Sequence, residues 1–408
     1  MNQMIKNLSW LSLANAAVKP IWFVFITYVC LRFLGVGGFG EMTAVLALVG
    51  ISDGSLMLGT TPVTVREIAR DRSLAGSFLT NFLPLRFVLS AVAIALSIGV
   101  AAVIDPSMKP TAIVAAGAYV LTRNLAEYGR AVFKGLQDFK LDAWSTVAEK
   151  LLVSIGGTVL LVMQPTVTSV FIGMTLGMVA TIGLNLRWSA LREVLLTKSA
   201  RSGAFLRKHF RTALPLGLSS IFALLLYRTD SIMLKSMVGD LPTGQYGLAF
   251  RITEAALLLP ALLTTVLLPR LSEIGTEERI RFWKTAGTGL AAMGAIASVV
   301  AGAVTLMAPG IVHLIDPSPE AAPAAPLLQW LIWTFPLSSL NFLFVTVFTA
   351  ANALRRIAWI LGAAALLNIS LNLWLIPIHA AWGATTATLV TQGFILLSFA
   401  GSQMVRRV

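Results

Sequence analysis

Arg123, Glu127 and Arg130 recur at i, i+4 and i+7, and Lys134 continues the row at i+11, so a helix through this stretch carries all four on one face. The residues around the row are apolar. On insertion scales a charge at bilayer depth costs about 2.5–3.5 kcal/mol, so such groups must pair, reach an interface or line water. Twelve charged residues fall inside apolar stretches of this kind: Lys19, Arg86, Arg123, Arg130, Lys150, Arg228 and Arg251, with Asp53, Glu127, Glu149, Asp230 and Glu254. Their chemistry is ionic. Arginine offers a bidentate fork to phosphate and lysine a point charge, while a carboxylate can pair with either or take up a coupling ion.

The row from Arg123 to Lys134 has a bland reading, in which Arg123 pairs with Glu127 and Glu127 with Arg130 along one helix. Three cations against one acid leave positive charge over, which points instead to the lining of a wet cavity. Lys19 lies near the middle of its stretch, where the reach to either surface is longest, so it joins the cavity set. Arg228 and Arg251 are expected to meet the same anion on the other side of the membrane, although Arg251 and Glu254 at i and i+3 equally suit a structural pair. Asp230 either fixes the turn that follows it or touches the substrate. Glu149 and Lys150 are adjacent and point about 100° apart, so one of the two faces the lumen. Arg86 is expected to snorkel from a helix end. Lys19, Arg123, Arg130, Lys150, Arg228 and Arg251 therefore stand as the anion-binding set, and Asp53, Glu127, Glu149, Asp230 and Glu254 as groups for ion coupling or charge pairing.

What must position these residues is a set of membrane helices. Of the 408 residues 57% are hydrophobic and 12% charged, against about 25% charged in soluble domains. Twelve stretches approach the roughly 20 residues a bilayer requires: about 8–29, 39–60, 80–104, 111–133, 142–163, 167–187, 213–235, 244–268, 285–307, 326–350, 357–376 and 381–402. Pro20, Pro84, Pro215, Pro260 and Pro336 fall inside or at the ends of these spans and are candidates for kinks. The N-terminus, the connections after even-numbered spans and the tail hold 21 Lys and Arg. The opposite connections hold three, Arg32, Lys109 and Lys235. Both termini are thus expected in the cytoplasm, and the net charge of +13 reports topology rather than nucleic-acid binding. Ala14-Asn15-Ala16 resembles a signal-peptidase site, but the apolar run before it is short, so a first membrane helix is expected instead.

The longest basic connection, around residues 189–212, divides the spans six and six. Residues 1–188 and 213–408 then read as two six-helix lobes. Two internal matches support a duplication. Phe39-Gly40 to Pro62 parallels Tyr246-Gly247 to Pro269 at an offset of 207, and Val132-Phe133 to Ala143-Trp144 parallels Val347-Phe348 to Ala358-Trp359 at an offset of 215. Six spans per copy give both copies the same orientation, a parallel repeat. The charged segments 63–73 and 271–284 are expected to lie along the cytoplasmic interface. The single Cys30 cannot form an intrachain disulfide, and His209, His313 and His379 lie far apart, so no metal or other cofactor is expected.

Three motif blocks in order resemble the Wzx-type polysaccharide flippases of the MOP (multidrug, oligosaccharidyl-lipid, polysaccharide) superfamily. They are Arg32 to Gly40 (RFLGVGGFG); Asp230 to Leu234 with Gly244 to Gly247 and Leu268 to Leu271; and Ala351 to Ala353 with Asn368 to Asn372, Ile376-Pro377 and Gly383-Ala384. The resemblance implies an all-α, MATE-like transporter of the bacterial inner membrane with two six-helix lobes. Its implied action is to turn undecaprenyl-diphosphate-linked oligosaccharide, such as an O-antigen repeat unit, from the cytoplasmic to the periplasmic leaflet by alternating access. The implied partners are that lipid-linked glycan, membrane lipids, a coupling ion (H+ or Na+) and other polysaccharide-assembly proteins. Twelve spans rather than the fourteen usual in lipid II flippases argue against a peptidoglycan precursor as cargo. Lys19 stands where multidrug exporters of the superfamily commonly carry an acid, which suits an anionic cargo.

Sugar contacts would need hydroxyl partners and aromatic faces, for which Tyr119, Tyr128, Asn124, Asn185 and Trp144 are available. Two other classes remain: a multidrug or organic-cation antiporter, and a membrane polymerase or ligase. The polymerase or ligase reading is the weaker, because its longest loop on the periplasmic side, about 308–325, is short and rich in Ala and Pro. A transporter without enzymatic activity is therefore expected.

Overall fold

The computed structural model describes residues 18–57, 59–187, 200–275, 278–351 and 353–404, and among these every regular element is helical. The expected start of the first span (8–17), much of the basic connection (188–199) and the tail beyond 404 lie outside the described residues. The first described helix begins at Val18, passes through a π-helical stretch at Val24–Val29 and runs on as α1, Cys30–Met57. Gly35 inside α1 has φ 69° and ψ 175°, a conformation that a Cβ disfavours, and it turns the chain between the first and second spans.

After α1 come α2 (Thr60–Arg70), α3 (Leu74–Ile104), α4 (Pro110–Gly135), α5 (Phe139–Met163), α6 (Val167–Arg187) and α7 (Gly203–Val238). The rest comprises α8 (Asp240–Ala256), α9 (Leu258–Ile274), α10 (Arg279–Ile315), α11 (Ala324–Leu331), α12 (Thr334–Ala350), α13 (Leu354–His379) and α14 (Ala381–Met404). Nine helical runs among the described residues are long and apolar enough to cross a membrane. One of them, Val18–Met57, holds parts of two spans about Gly35, and α4 and α7 fall outside the nine. Both carry charged residues along their length. About twelve spans follow, as the sequence implies.

Two of those spans are broken. α8 gives way to α9 at Leu257, and α11 to α12 at Ile332 and Trp333. Pro260 and Pro336 lie just beyond, where each removes one N–H from the helical ladder. Pro84 is instead carried inside the continuous α3.

The duplication has a backbone signature. At the end of α4, Leu136 N–H donates to Val132 O at 2.8 Å and Asp138 N–H to Phe133 O at 2.9 Å. At the end of α12, Ala351 N–H donates to Val347 O at 3.0 Å and Ala353 N–H to Phe348 O at 2.8 Å, the same two bonds 215 positions on. Gly239, in the turn after α7, repeats the conformation of Gly35 with φ 87° and ψ −170°.

The chain divides into two compact units, residues 1–224 and 225–408, with α7 crossing the boundary. In the first unit α2 covers most of the 63–73 segment and is amphipathic. Its apolar side packs inward, where Ile68 joins Phe78, Phe82, Tyr128, Val132 and Phe133 in a buried cluster. Arg66 and Glu67 stay outward, paired at 2.9 Å. α5 and α6 approach through Gly156, Gly157, Gly173 and Gly177, where an added Cβ would collide with the facing backbone or with Phe25. Small residues at such a seam let membrane helices touch backbone to backbone.

Candidate functional site

In the first unit two faces of α4 stay partly open. Val114 is 49% exposed on one of them. Arg123 lies nine residues on, and at about 100° per residue that is half a turn round the helix. On this second face Arg123 is 39% and Glu127 45% exposed. Lipid suits the first face and not the second.

The row continues inward. Arg123 Nε and Arg130 Nη2 both approach Glu127 Oε1, at 3.5 and 3.8 Å. Arg130, nearly buried, turns its other nitrogen to Glu149 Oε2 of α5 at 2.9 Å and donates to Thr146 Oγ1 at 2.8 Å. Lys150 Nζ meets the second oxygen of Glu149 at 2.7 Å, and the same ammonium sits 4.3 Å from the centre of the Trp22 ring. Lys19 is exposed one helical turn before Trp22, on the same side of its helix. Lys134 at the far end of the row reaches Asp142 of α5 at 3.8 Å.

The sequence-selected Arg123, Glu127, Arg130, Glu149 and Lys150 thus form one connected group. Its cations are better compensated than α4 alone implies, because α5 contributes Glu149 and Asp142. Nothing in the sequence marks those two as partners, since each is on a different helix from the cation it meets. The adjacent Glu149 and Lys150 do not diverge as expected: the long lysine chain folds back onto its neighbour.

A second polar group lies beside this one. Asp53 is buried, accepting from Ser90 Oγ at 2.6 Å and from Asn124 Nδ2 at 2.9 Å. Asn124 accepts in turn from Arg86 Nη1, and Arg86 Nη2 donates to Thr60 Oγ1 at 2.6 Å and Thr61 Oγ1 at 2.7 Å at the start of α2. The Arg86 guanidinium also lies 4.1 Å from the centre of the Tyr128 ring. Arg86 therefore does not snorkel; it is buried and ties α2, α3 and α4 together. Four of the five residues considered for sugar contact, Tyr119, Tyr128, Asn124 and Asn185, are buried, and only Trp144 is exposed.

In the second unit Glu254 stands between Arg251 at 2.9 Å and Arg228 at 3.9 Å, a second Arg–Glu–Arg group. Asp230 is buried elsewhere. Its Oδ2 accepts from Tyr246 Oη at 2.7 Å and lies 2.7 Å from Thr388 Oγ1, and its Oδ1 accepts from Asn372 Nδ2 at 2.6 Å. Asn372 also bonds Asn368 Oδ1 at 3.1 Å. Asp230 thus joins α7 to α8, α13 and α14. The turn after α7 is held by a different pair, Lys235 and Asp240 at 2.6 Å. Tyr246 and Asn372 fall in the motif blocks singled out from sequence; Thr388 does not. Among the described residues no three His, Cys, Asp or Glu side chains gather for a metal.

Residues 4–275 match the family described as "Polysaccharide biosynthesis protein", and residues 215–374 match MatE. No curated protein matches the sequence. The fold is similar to an inward-closed structure of the lipid II flippase MurJ, with TM-score 0.70 and 14% identity over 96% of this chain and 87% of that one. It is similar to an inward-facing multidrug resistance MATE family transporter of the MOP superfamily, with TM-score 0.66 and 16% identity over 96% and 94%. A MATE transporter of Vibrio cholerae matches with TM-score 0.61 and 14% identity over 98% of each chain. At these identities the likeness establishes the fold.

Proposed function

The chain belongs to the polysaccharide biosynthesis protein family and has the fold of MOP-superfamily transporters, and from that premise we propose that it flips a polyprenyl-diphosphate-linked oligosaccharide. Undecaprenyl diphosphate is the expected carrier and an O-antigen-like repeat unit the expected glycan. The route runs from the cytoplasmic to the periplasmic leaflet of a bacterial inner membrane, by alternating access of the two six-span halves, residues 1–188 and 213–408. The distribution of Lys and Arg supports cytoplasmic termini.

The observation that carries this reading is the half-exposed Arg123–Glu127 end of a cationic group on the side of α4 opposite its apolar face. A charged, exposed face is stable at bilayer depth where it borders water. Fixed cations there lower the cost of bringing a diphosphate through a low-dielectric slab. In the second unit Arg228 and Arg251, sharing Glu254, would take the headgroup later in transit. The lipid tail stays in the bilayer throughout. The protein acts as a transporter, not an enzyme, and works alongside the other polysaccharide-assembly proteins.

Of the five carboxylates considered for coupling, Glu127, Glu149 and Glu254 are ion-paired. Asp53 and Asp230 are bonded by neutral donors. Asp230 suits a proton in particular. The Thr388 hydroxyl has one hydrogen for two acceptors, Asp230 Oδ2 and Ala384 O at 2.9 Å. A proton on Asp230 would donate to Thr388 and free that hydroxyl for Ala384.

Deleting the gene in its native host tests the cargo: loss of surface polysaccharide with build-up of its lipid-linked precursor is expected, and normal polymer without build-up would count against it. The buried Asp230, bonded by neutral donors among the described residues of the MatE-matching region, also suits a second reading, a cation-coupled multidrug antiporter. That reading requires cationic dyes to be expelled by a protein whose Lys19 and Arg123 have been neutralised.

A further inference from the structure

Within the charged group of the first unit, the two glutamates are held very differently. Glu149 is buried, forms a close ion pair with Arg130 at 2.9 Å and accepts a charge-assisted hydrogen bond from Lys150 at 2.7 Å. Glu127 is 45% exposed, and its contacts to Arg123 and Arg130, at 3.5 and 3.8 Å, are longer than hydrogen bonds. Both guanidinium groups nevertheless approach the same oxygen of Glu127. Ion pairs at such distances hold their partners less firmly than charge-assisted hydrogen bonds do. A phosphate offers more charge and more acceptor oxygens than a carboxylate, and arginine binds it bidentately.

Resting on the headgroup reading above, we infer that Glu127 is a built-in placeholder: its carboxylate occupies the anion site of Arg123 and Arg130 when the site is empty and is displaced by the phosphate of the cargo headgroup. Arg130 keeps its place during the exchange because Glu149 and Thr146 hold it from α5. Arg123 is the mobile partner. On release, Glu127 returns to the guanidinium groups and competes with rebinding. Two cations without such a competitor would bind the diphosphate tightly and give it up slowly, whereas here an anion is always at hand to replace the one that leaves. Glu127 is therefore a positioning and release residue, and Arg123 the group that touches the headgroup.

The test uses the full chain in lipid nanodiscs, titrated calorimetrically with farnesyl diphosphate, with inorganic diphosphate in a parallel arm to separate lipid headgroup from free anion. Removing the internal competitor in Glu127→Gln should tighten farnesyl diphosphate about tenfold, while Glu127→Asp stays near wild type. Reconstituted flipping by Glu127→Gln should slow at the same time. The gain should vanish when Arg123→Gln is added. A residue needed only for structure would lose affinity when removed, so unchanged or weaker binding by a folded Glu127→Gln protein overturns the placeholder. If wild type binds farnesyl diphosphate and Glu127→Gln binds it no better, only this inference falls. If neither binds, the diphosphate headgroup reading falls with it.

Discussion

Arg130 of α4 and Glu149 of α5 meet at 2.9 Å with both side chains largely buried, one on each of two neighbouring helices. The pair anchors the inner end of the charged row. Its energetic meaning is asymmetric, because a buried pair adds little over an apolar one while a broken pair leaves a stranded charge. Glu149→Gln should therefore destabilise the protein by about 3 kcal/mol, the low end for such a break because Glu127 stays within reach of Arg130. Replacing both partners with Met should cost less than the single change. Thermal melting in detergent reads both, and equal melting temperatures for wild type and Glu149→Gln would contradict this account.

Asp230 should be dispensable for cargo binding and required for coupling. Asp230→Asn keeps the shape of the side chain but cannot take up a proton, so flipping in proteoliposomes should lose its response to an imposed proton gradient. Binding of farnesyl diphosphate should stay within about twofold of wild type. A variant that still accelerates with the gradient would assign coupling elsewhere, with Asp53 next in line.

The seam between α5 and α6 sets a steric prediction. Gly173→Ala places a methyl group against the backbone of Gly156 and Gly157, and overpacking of this kind costs about 1–3 kcal/mol. Gly183→Ala in the same helix meets open space and should leave the melting temperature unchanged or slightly raised. A matched pair of unaltered melting curves would mean the seam is looser than the structure has it.

Outside the spans, Asp71 links pH to stability in the connection between α2 and α3. Ser73 donates to Asp71 Oδ1 from its N–H at 3.0 Å and its Oγ at 2.6 Å, and these bonds hold the carboxyl below its ordinary pKa. A carboxylate depressed on folding stabilises above its unfolded pKa, about 3.9, and loses that contribution as the pH falls through the folded value. The melting-temperature gap between wild type and Asp71→Ala should therefore be fully present at neutral pH and close in acid. A gap that widens below pH 4 would have the wrong sign.

Much of this protein is legible without coordinates, because the signals are local. A run of about 20 apolar residues must cross the bilayer as a helix, and residues four and seven apart on a helix share a face wherever the helix lies. Hence the spans, the row Arg123, Glu127, Arg130 and Lys134, and the pair Arg251 and Glu254 follow from the sequence, as does the doubling at offsets of 207 and 215. Which helix stands opposite each face is not local. Glu149 against Arg130, Asp142 against Lys134, Asn124 between Arg86 and Asp53, and Thr388 against Asp230 depend on how helices far apart in the chain pack side by side. Apolar periodicity says that a helix is buried but not against what, so the tertiary structure alone decided which charges are spent on one another and which stay open to a ligand.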